Sequence, residues 1–104
     1  MTEQSTPTRK LPVELGQVVV TSNLWSQLDA EHEPEDILRE TAKLLARHRS
    51  GDWGDTGAED AAMNDQALIN RTRLMSVYQL LGFRVWIITE ADRSVTTVLL
   101  PEDY

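Results

Sequence analysis

Asp52, Asp55, Glu59, Asp60 and Asp65 fall between Ser50 and Asp65, a stretch that holds no Lys or Arg. Carboxylates grouped this way can hold a divalent cation, work as an acid–base pair, or present negative charge to a basic partner. Trp53 stands between Asp52 and Asp55, and Gly51, Gly54 and Gly57 punctuate the same stretch. A calcium loop sets oxygen ligands at alternating positions with a bidentate Glu downstream. Asp52 and Asp55 are instead three apart, and Glu59 and Asp60 sit at the start of a predicted helix, so the calcium pattern fails. Mg²⁺ on one or two carboxylates stays open, with Asp52, Asp55 and Glu59 as the residues of a metal-assisted hydrolase.

Trp53 has two readings. In one, its indole folds back over the helices and anchors a glycine-flexed loop. In the other it is a hot-spot anchor for a partner, rimmed by Asp52 and Asp55. Of the two histidines, His32 lies in an acidic loop and is read as solvated. His48 falls in the last turn of a predicted helix on its buried stripe, which suits capping or packing better than general-base work. Ser50 is too close in sequence to His48 to imply a catalytic triad.

The elements that must position these residues follow from periodicity. Gly16 to Thr21 is a β-branched run and a predicted strand; Ser22 then caps a short helix carrying Leu24, Trp25 and Leu28. Pro34 opens the strongest helix, with Glu35 and Asp36 complementing its positive end. Ile37, Leu38, Thr41, Leu44, Leu45 and His48 form its predicted buried face, basic residues fill the last turn, and Gly51 stops it. Thr56 to Glu59 reads as a capping box for a third helix, whose apolar positions are Ala61, Ala62, Met63, Leu68 and Ile69. Leu74 to Leu81, Val85 to Thr89 and Val95 to Leu100 read as three strands, divided by Gly82 and by Ala91 to Ser94. The expected fold is therefore α+β: a C-terminal antiparallel meander and a short N-terminal strand, packed with two main helices and one short one. Both faces of the last two strands are partly apolar, which implies one face on the helices and one partly covered. Residues 1–10 are expected to be a flexible tail and residues 11–104 a single domain.

Composition bounds the function. The 104 residues include no cysteine, so there is no disulfide, thiol nucleophile or Cys-ligated zinc. Seventeen acidic against ten basic residues give a net charge of −7, against direct nucleic-acid binding. No apolar run approaches the roughly 20 residues of a membrane span, and the polar start lacks the apolar centre of a signal peptide, so a cytoplasmic protein with no membrane partner is expected.

Ser50-Gly51-Asp52-Trp53-Gly54, then Asn64-Asp65 with Ala67-Leu68, then the run from Trp86 through Thr89-Glu90-Ala91-Asp92-Arg93-Ser94 to Pro101-Glu102, resemble a family of small bacterial proteins. Its members occur on plasmids and integrative elements, and are described as plasmid-related proteins or, loosely, as type I restriction–modification subunits. The resemblance covers roughly residues 13–104. It implies a mobile-element setting and brings no catalytic residues. The chain is too short for a methyltransferase domain and has no glycine-rich nucleotide loop, so it is no stand-alone modification enzyme.

The expected function is a non-enzymatic protein-binding accessory or regulatory factor of a mobile element, using Asp52, Trp53, Asp55, Glu59 and Asp60 and no cofactor. One alternative is an anti-restriction or anti-defence inhibitor whose carboxylates imitate phosphates; duplex DNA carries one charge per about 1.7 Å of axis. Arg39, Lys43, Arg47 and Arg49 interrupt such an array. The metal-assisted hydrolase is the other alternative. A homodimer through an exposed sheet edge is a further expectation.

Overall fold

β-branched and aromatic side chains favour a pleated, half-buried surface, and four segments rich in them form one sheet: β1 (Gln17–Val20), β2 (Leu74–Leu80), β3 (Phe83–Thr89) and β4 (Val95–Leu99). The computed structural model describes residues 12–104, so the tail expected over residues 1–10 lies outside the described residues. Strand order is β1-β4-β3-β2. β2, β3 and β4 make the expected antiparallel meander, and β1 lies parallel to β4. A two-residue turn joins β2 to β3, with Leu80 opposite Phe83. Leu81 and Gly82 both have positive φ, at 49° and 93°. That is the conformation of a primed hairpin turn, whose twist matches the flanking strands.

Three α-helices supply the other layer: α1 (Ser22–Asp29), α2 (Pro34–Arg49) and α3 (Ala58–Asn70). A single 3-10 turn, Pro101–Asp103, follows β4. Leu24 and Leu28 of α1 and Ile37 and Leu44 of α2 pack on Tyr78, Leu80, Val85, Ile87 and Val98 of the sheet. A second cluster, Val13, Trp53, Ala67 and Leu74, fills the space beside α3. Alternation sends Val77, Trp86 and Leu99 to the opposite sheet face, where they align in one cross-strand row. Tyr104 lies edge-on to Trp86 there, ring centroids 5.4 Å apart.

Local geometry departs from the sequence expectation at five places. Thr21, not Ser22, caps α1, its hydroxyl accepting from the Leu24 amide at 3.4 Å. Asp103 receives the Thr21 hydroxyl at 2.7 Å and the Asn23 amide at 2.9 Å. These hydrogen bonds, Asn23 first, hold its carboxyl below the usual carboxylate range. Gly57, not Thr56, caps α3, and no side chain closes that cap. The Thr56 hydroxyl instead donates to the Trp53 carbonyl. On α2 the buried stripe is Ile37, Thr41, Leu44 and His48. Leu38, one residue and about 100° round from Ile37, is 62% exposed. On α3 Met63 and Ile69 are 69% and 75% exposed. Its buried positions are Asn64 and Ala67, because a polar side chain was needed there to meet backbone.

No described helix is long and apolar enough to cross a membrane.

Candidate functional site

The acidic loop is a joint between α2 and the outer edge of β2. The Val77 amide donates to the Trp53 carbonyl at 3.2 Å, and the Asp55 amide donates to the Val77 carbonyl at 2.7 Å. Gly54 thereby forms a parallel bridge to Val77. A Cβ at Gly54 would stand 2.1 Å from the Val77 carbonyl oxygen, and its φ is +70°, so glycine alone fits. One step along β2, the Asn64 side chain of α3 repeats the device. Its Nδ2 donates to the Met75 carbonyl at 2.7 Å, and its Oδ1 accepts from the Met75 amide at 3.1 Å. Amide and carbonyl of a side chain imitate a strand. The β2 edge is thus covered at two successive outward positions, which removes a site of unwanted strand pairing.

Asn64 also yields a sharp expectation. Removing it orphans an amide and a carbonyl of Met75, each costing about 1–3 kcal/mol if left unmet. Asn64→Ala should lower stability by about 1–3 kcal/mol, read as a shift in urea midpoint at unchanged m value. An unchanged midpoint would show that water replaces both bonds without loss.

Trp53 is buried, 6% exposed. Its Nε1 donates to Asp65 at 2.9 Å, and its ring stands edge-on to His48 at 5.9 Å. The structure places the indole in the core, which corrects the reading of Trp53 as a surface anchor for a partner. Asp52 faces outward but is engaged: Arg47 Nε and Nη2 donate to its oxygens at 2.7 and 3.3 Å, and the Gly54 amide donates at 3.1 Å. The hydrogen bond to Asp52 raises the Arg47 pKa. The Asp52 carbonyl accepts from the Tyr78 hydroxyl, and burial pushes that phenol up to about 12. Asp55, Glu59 and Asp60 are exposed, the last two on the first turn of α3. Asp52, Trp53 and Asp55 are therefore one structural unit, while Glu59 and Asp60 belong to the helix surface.

Two buried polar groups, His48 and Arg93, were not connected by sequence patterns. His48 is wholly buried. Its Nδ1 is 2.6 Å from the Ser76 hydroxyl and its Nε2 2.9 Å from the Thr89 hydroxyl. Thr89 is 2.7 Å from the Thr96 hydroxyl, which donates to the Leu15 carbonyl at 2.7 Å. With the ring kept neutral by burial, that last bond fixes the protons in the row. Thr96 spends its hydrogen on Leu15, so Thr89 donates to Thr96, His48 Nε2–H donates to Thr89, and Ser76 donates to Nδ1. His48 is thus the neutral Nε2–H tautomer, a strut between α2 and three strands. Burial, reinforced by the Arg93 charge, lowers its pKa to about 4.

Arg93, 7% exposed with φ 63°, is the second. Its guanidinium donates to the carbonyls of Thr72 at 2.7 Å, Glu90 at 3.1 Å and Ala67 at 3.3 Å. It therefore closes the C-terminal end of α3, where the helix dipole favours a cation. The sequence marked 91–94 only as a turn; the cue available was an arginine in a turn opposite a helix end without a basic last turn.

Asp60, Met63 and Asn64 of α3 line a shallow groove together with Thr72, Arg73 and Met75. Arg73 donates to the Tyr104 hydroxyl and lies 5.3 Å from that ring. Among the described residues no group of three or more His, Asp or Glu side chains is arranged to hold a metal ion. Comparison of the chain with family models, curated proteins and solved structures yields no match.

Proposed function

We propose that this chain is a non-enzymatic, protein-binding accessory factor that meets its partner on the exposed side of α3. The observation that carries the reading is Met63, 69% exposed above the groove between α3 and β2. Methionine is soft and adaptable, and it is enriched at protein interfaces. Asp60 and Arg73 put opposite charges in the lining of that groove, which favours a partner with an apolar side chain flanked by polar or charged groups. Asn64, bonded to both backbone groups of Met75, keeps the groove walls fixed, so little order has to be gained on binding. The mobile-element setting rests on the resemblance of residues 13–104 to plasmid-borne proteins.

The phosphate-mimic reading has less behind it. Asp36, Glu40 and Asp52 are held by Arg39, Lys43 and Arg47 at 2.7, 3.0 and 2.7 Å. Three of the seventeen acidic side chains are thus locally balanced, at positions that interrupt the acidic array.

The test is affinity capture from the native host, comparing the natural chain with Met63→Glu and with an Asp55→Asn/Glu59→Gln/Asp60→Asn variant. Both changes sit on exposed positions, so thermal unfolding should hold within about 0.5 kcal/mol. Met63→Glu should weaken capture by about ten-fold or more, the size of a lost hot-spot contact. Undiminished capture by folded Met63→Glu would overturn this surface. Loss confined to the acidic variant, with displacement by DNA and salt, would favour the mimic.

A further inference from the structure

The two ends of the sheet are treated differently. The β2 end is covered by Trp53, Asp55 and Asn64, as described above. The β1 end is not built that way: its four residues, Gln-Val-Val-Val, carry no charge, no proline and no bulge. Val18 is 40% exposed and Val19 36%. The Gln17 amide donates to Ser94 at 2.9 Å and the Thr21 amide to Val98 at 3.0 Å. In a parallel pair the amide and carbonyl of one residue point to the same side, alternating along the strand. Gln17, Val19 and Thr21 therefore face β4, while Val18 and Val20 turn their amides and carbonyls outward.

We propose that β1 is the interface of a homodimer, pairing antiparallel with β1 of a second copy to join two four-stranded sheets. Three observations select a second copy of this chain as the occupant. First, the strand is complementary to itself in one register. A two-fold axis at Val19 sets Val18 opposite Val20 of the second copy, so both outward residues exchange both hydrogen bonds, while Val19 meets its own equivalent. Gln17 falls opposite Thr21, and no charge meets a like charge. Second, the chain carries −7 overall, yet residues 17–21 along this edge carry no charge of their own. Two copies therefore approach where self-repulsion is least. Third, with the other edge covered, growth stops at two; an isologous contact closes instead of propagating into a fibre.

The experiment uses the full chain. Sedimentation equilibrium from micromolar to millimolar concentration should give twice the chain mass, concentration-dependently. Register is tested with single cysteines, since the chain has none. Across a non-hydrogen-bonded antiparallel pair the Cα atoms lie about 4.5 Å apart, inside the roughly 4.4–6.8 Å range that a disulfide spans. Val19→Cys should oxidise rapidly to a covalent dimer. Val18→Cys should not, because its equivalent is displaced along the strand by two residues, about 7 Å.

Val19→Lys places like charges on the axis and should weaken association by about ten-fold or more. It also brings the net charge closer to zero, so general repulsion cannot account for the loss. Val19→Thr keeps the β-branched shape and should still associate. A protein that stays monomeric at millimolar concentration overturns the proposal, whether its Val18 and Val20 amides exchange fast or are protected by another part of the same chain. So does equal cross-linking of the two cysteine variants. The cysteine pair decides the matter even if Val19→Lys fails to fold. Partner capture through Met63 on α3 is read separately, so either proposal can fail alone.

Discussion

Trp53→Ala should lower the unfolding free energy by about 3–5 kcal/mol, the range for truncating a buried aromatic. The indole packs with Val13, Ala67 and Leu74, so truncation to alanine opens a cavity among them. Asp65 also loses the Nε1 donor at 2.9 Å. A loss of that size is a large part of the roughly 5–15 kcal/mol that holds a small domain. The consequence reaches beyond stability. The Trp53 carbonyl and the Asp55 amide hold Val77, so a loosened loop uncovers the β2 edge as well. Trp53→Ala should therefore aggregate with concentration in a way that Asn64→Ala, which spares the loop, shows less. Trp53→Phe keeps most of the volume and should cost much less, about 1–2 kcal/mol, chiefly for the lost hydrogen bond. Urea unfolding followed by far-ultraviolet circular dichroism measures all three. A cost below 1 kcal/mol for Trp53→Ala would place the indole outside the core.

Acidification is expected to act through His48 before most carboxylates titrate. The ring has a pKa of about 4 in the folded protein against 6.5 when solvated. Between those values the unfolded chain binds a proton at His48 that the native state does not. Stability therefore rises with pH across this window and falls as pH drops from about 6.5 towards 4. A difference of that size corresponds to about 3 kcal/mol. Below about 4 both states are protonated and this contribution is gone, while Asp92 and Asp103, whose pKa values are lowered, add their own acid sensitivity.

The physical cause is the row of hydroxyls. Nδ1 accepts from Ser76, so a proton arriving there would face another donor, and the ring sits where burial and Arg93 both oppose positive charge. His48→Gln, which cannot titrate, should start less stable and show a flatter profile from pH 6.5 to 4.5. The ring's ¹⁵N shifts should report the Nε2–H tautomer at neutral pH. A wild-type profile as flat as that of the variant, or an Nδ1–H tautomer, would refute the proton assignment.

Much of this architecture is legible locally. Pro34, Glu35 and Asp36 mark a helix start because ring geometry and dipole act within one turn. The stripe Ile37, Thr41, Leu44, His48 follows from helical period alone. Val85 to Thr89 and Val95 to Leu99 show their strand character through β-branching and alternation. The same local logic misreads Met63, Ile69 and Leu38. Counting apolar residues assumes that a helix buries what is greasy, whereas α3 buries Asn64 to satisfy Met75.

What the residues settle by themselves is what neighbouring residues settle: helix starts, strand runs, the meander of the last three strands, the α+β class, and the acidic balance. The tertiary structure decided the rest. It put β1 parallel to β4, closed the β2 edge with Gly54 and Asn64, buried Trp53, and joined His48 to Ser76 and Thr89 across 28 and 41 residues of chain. The reason is range. Propensity, capping and period are set by atoms a few residues apart and can be read along the chain. Satisfying a buried polar group or an open strand edge depends on which distant atoms arrive beside it, and only the folded chain brings them together.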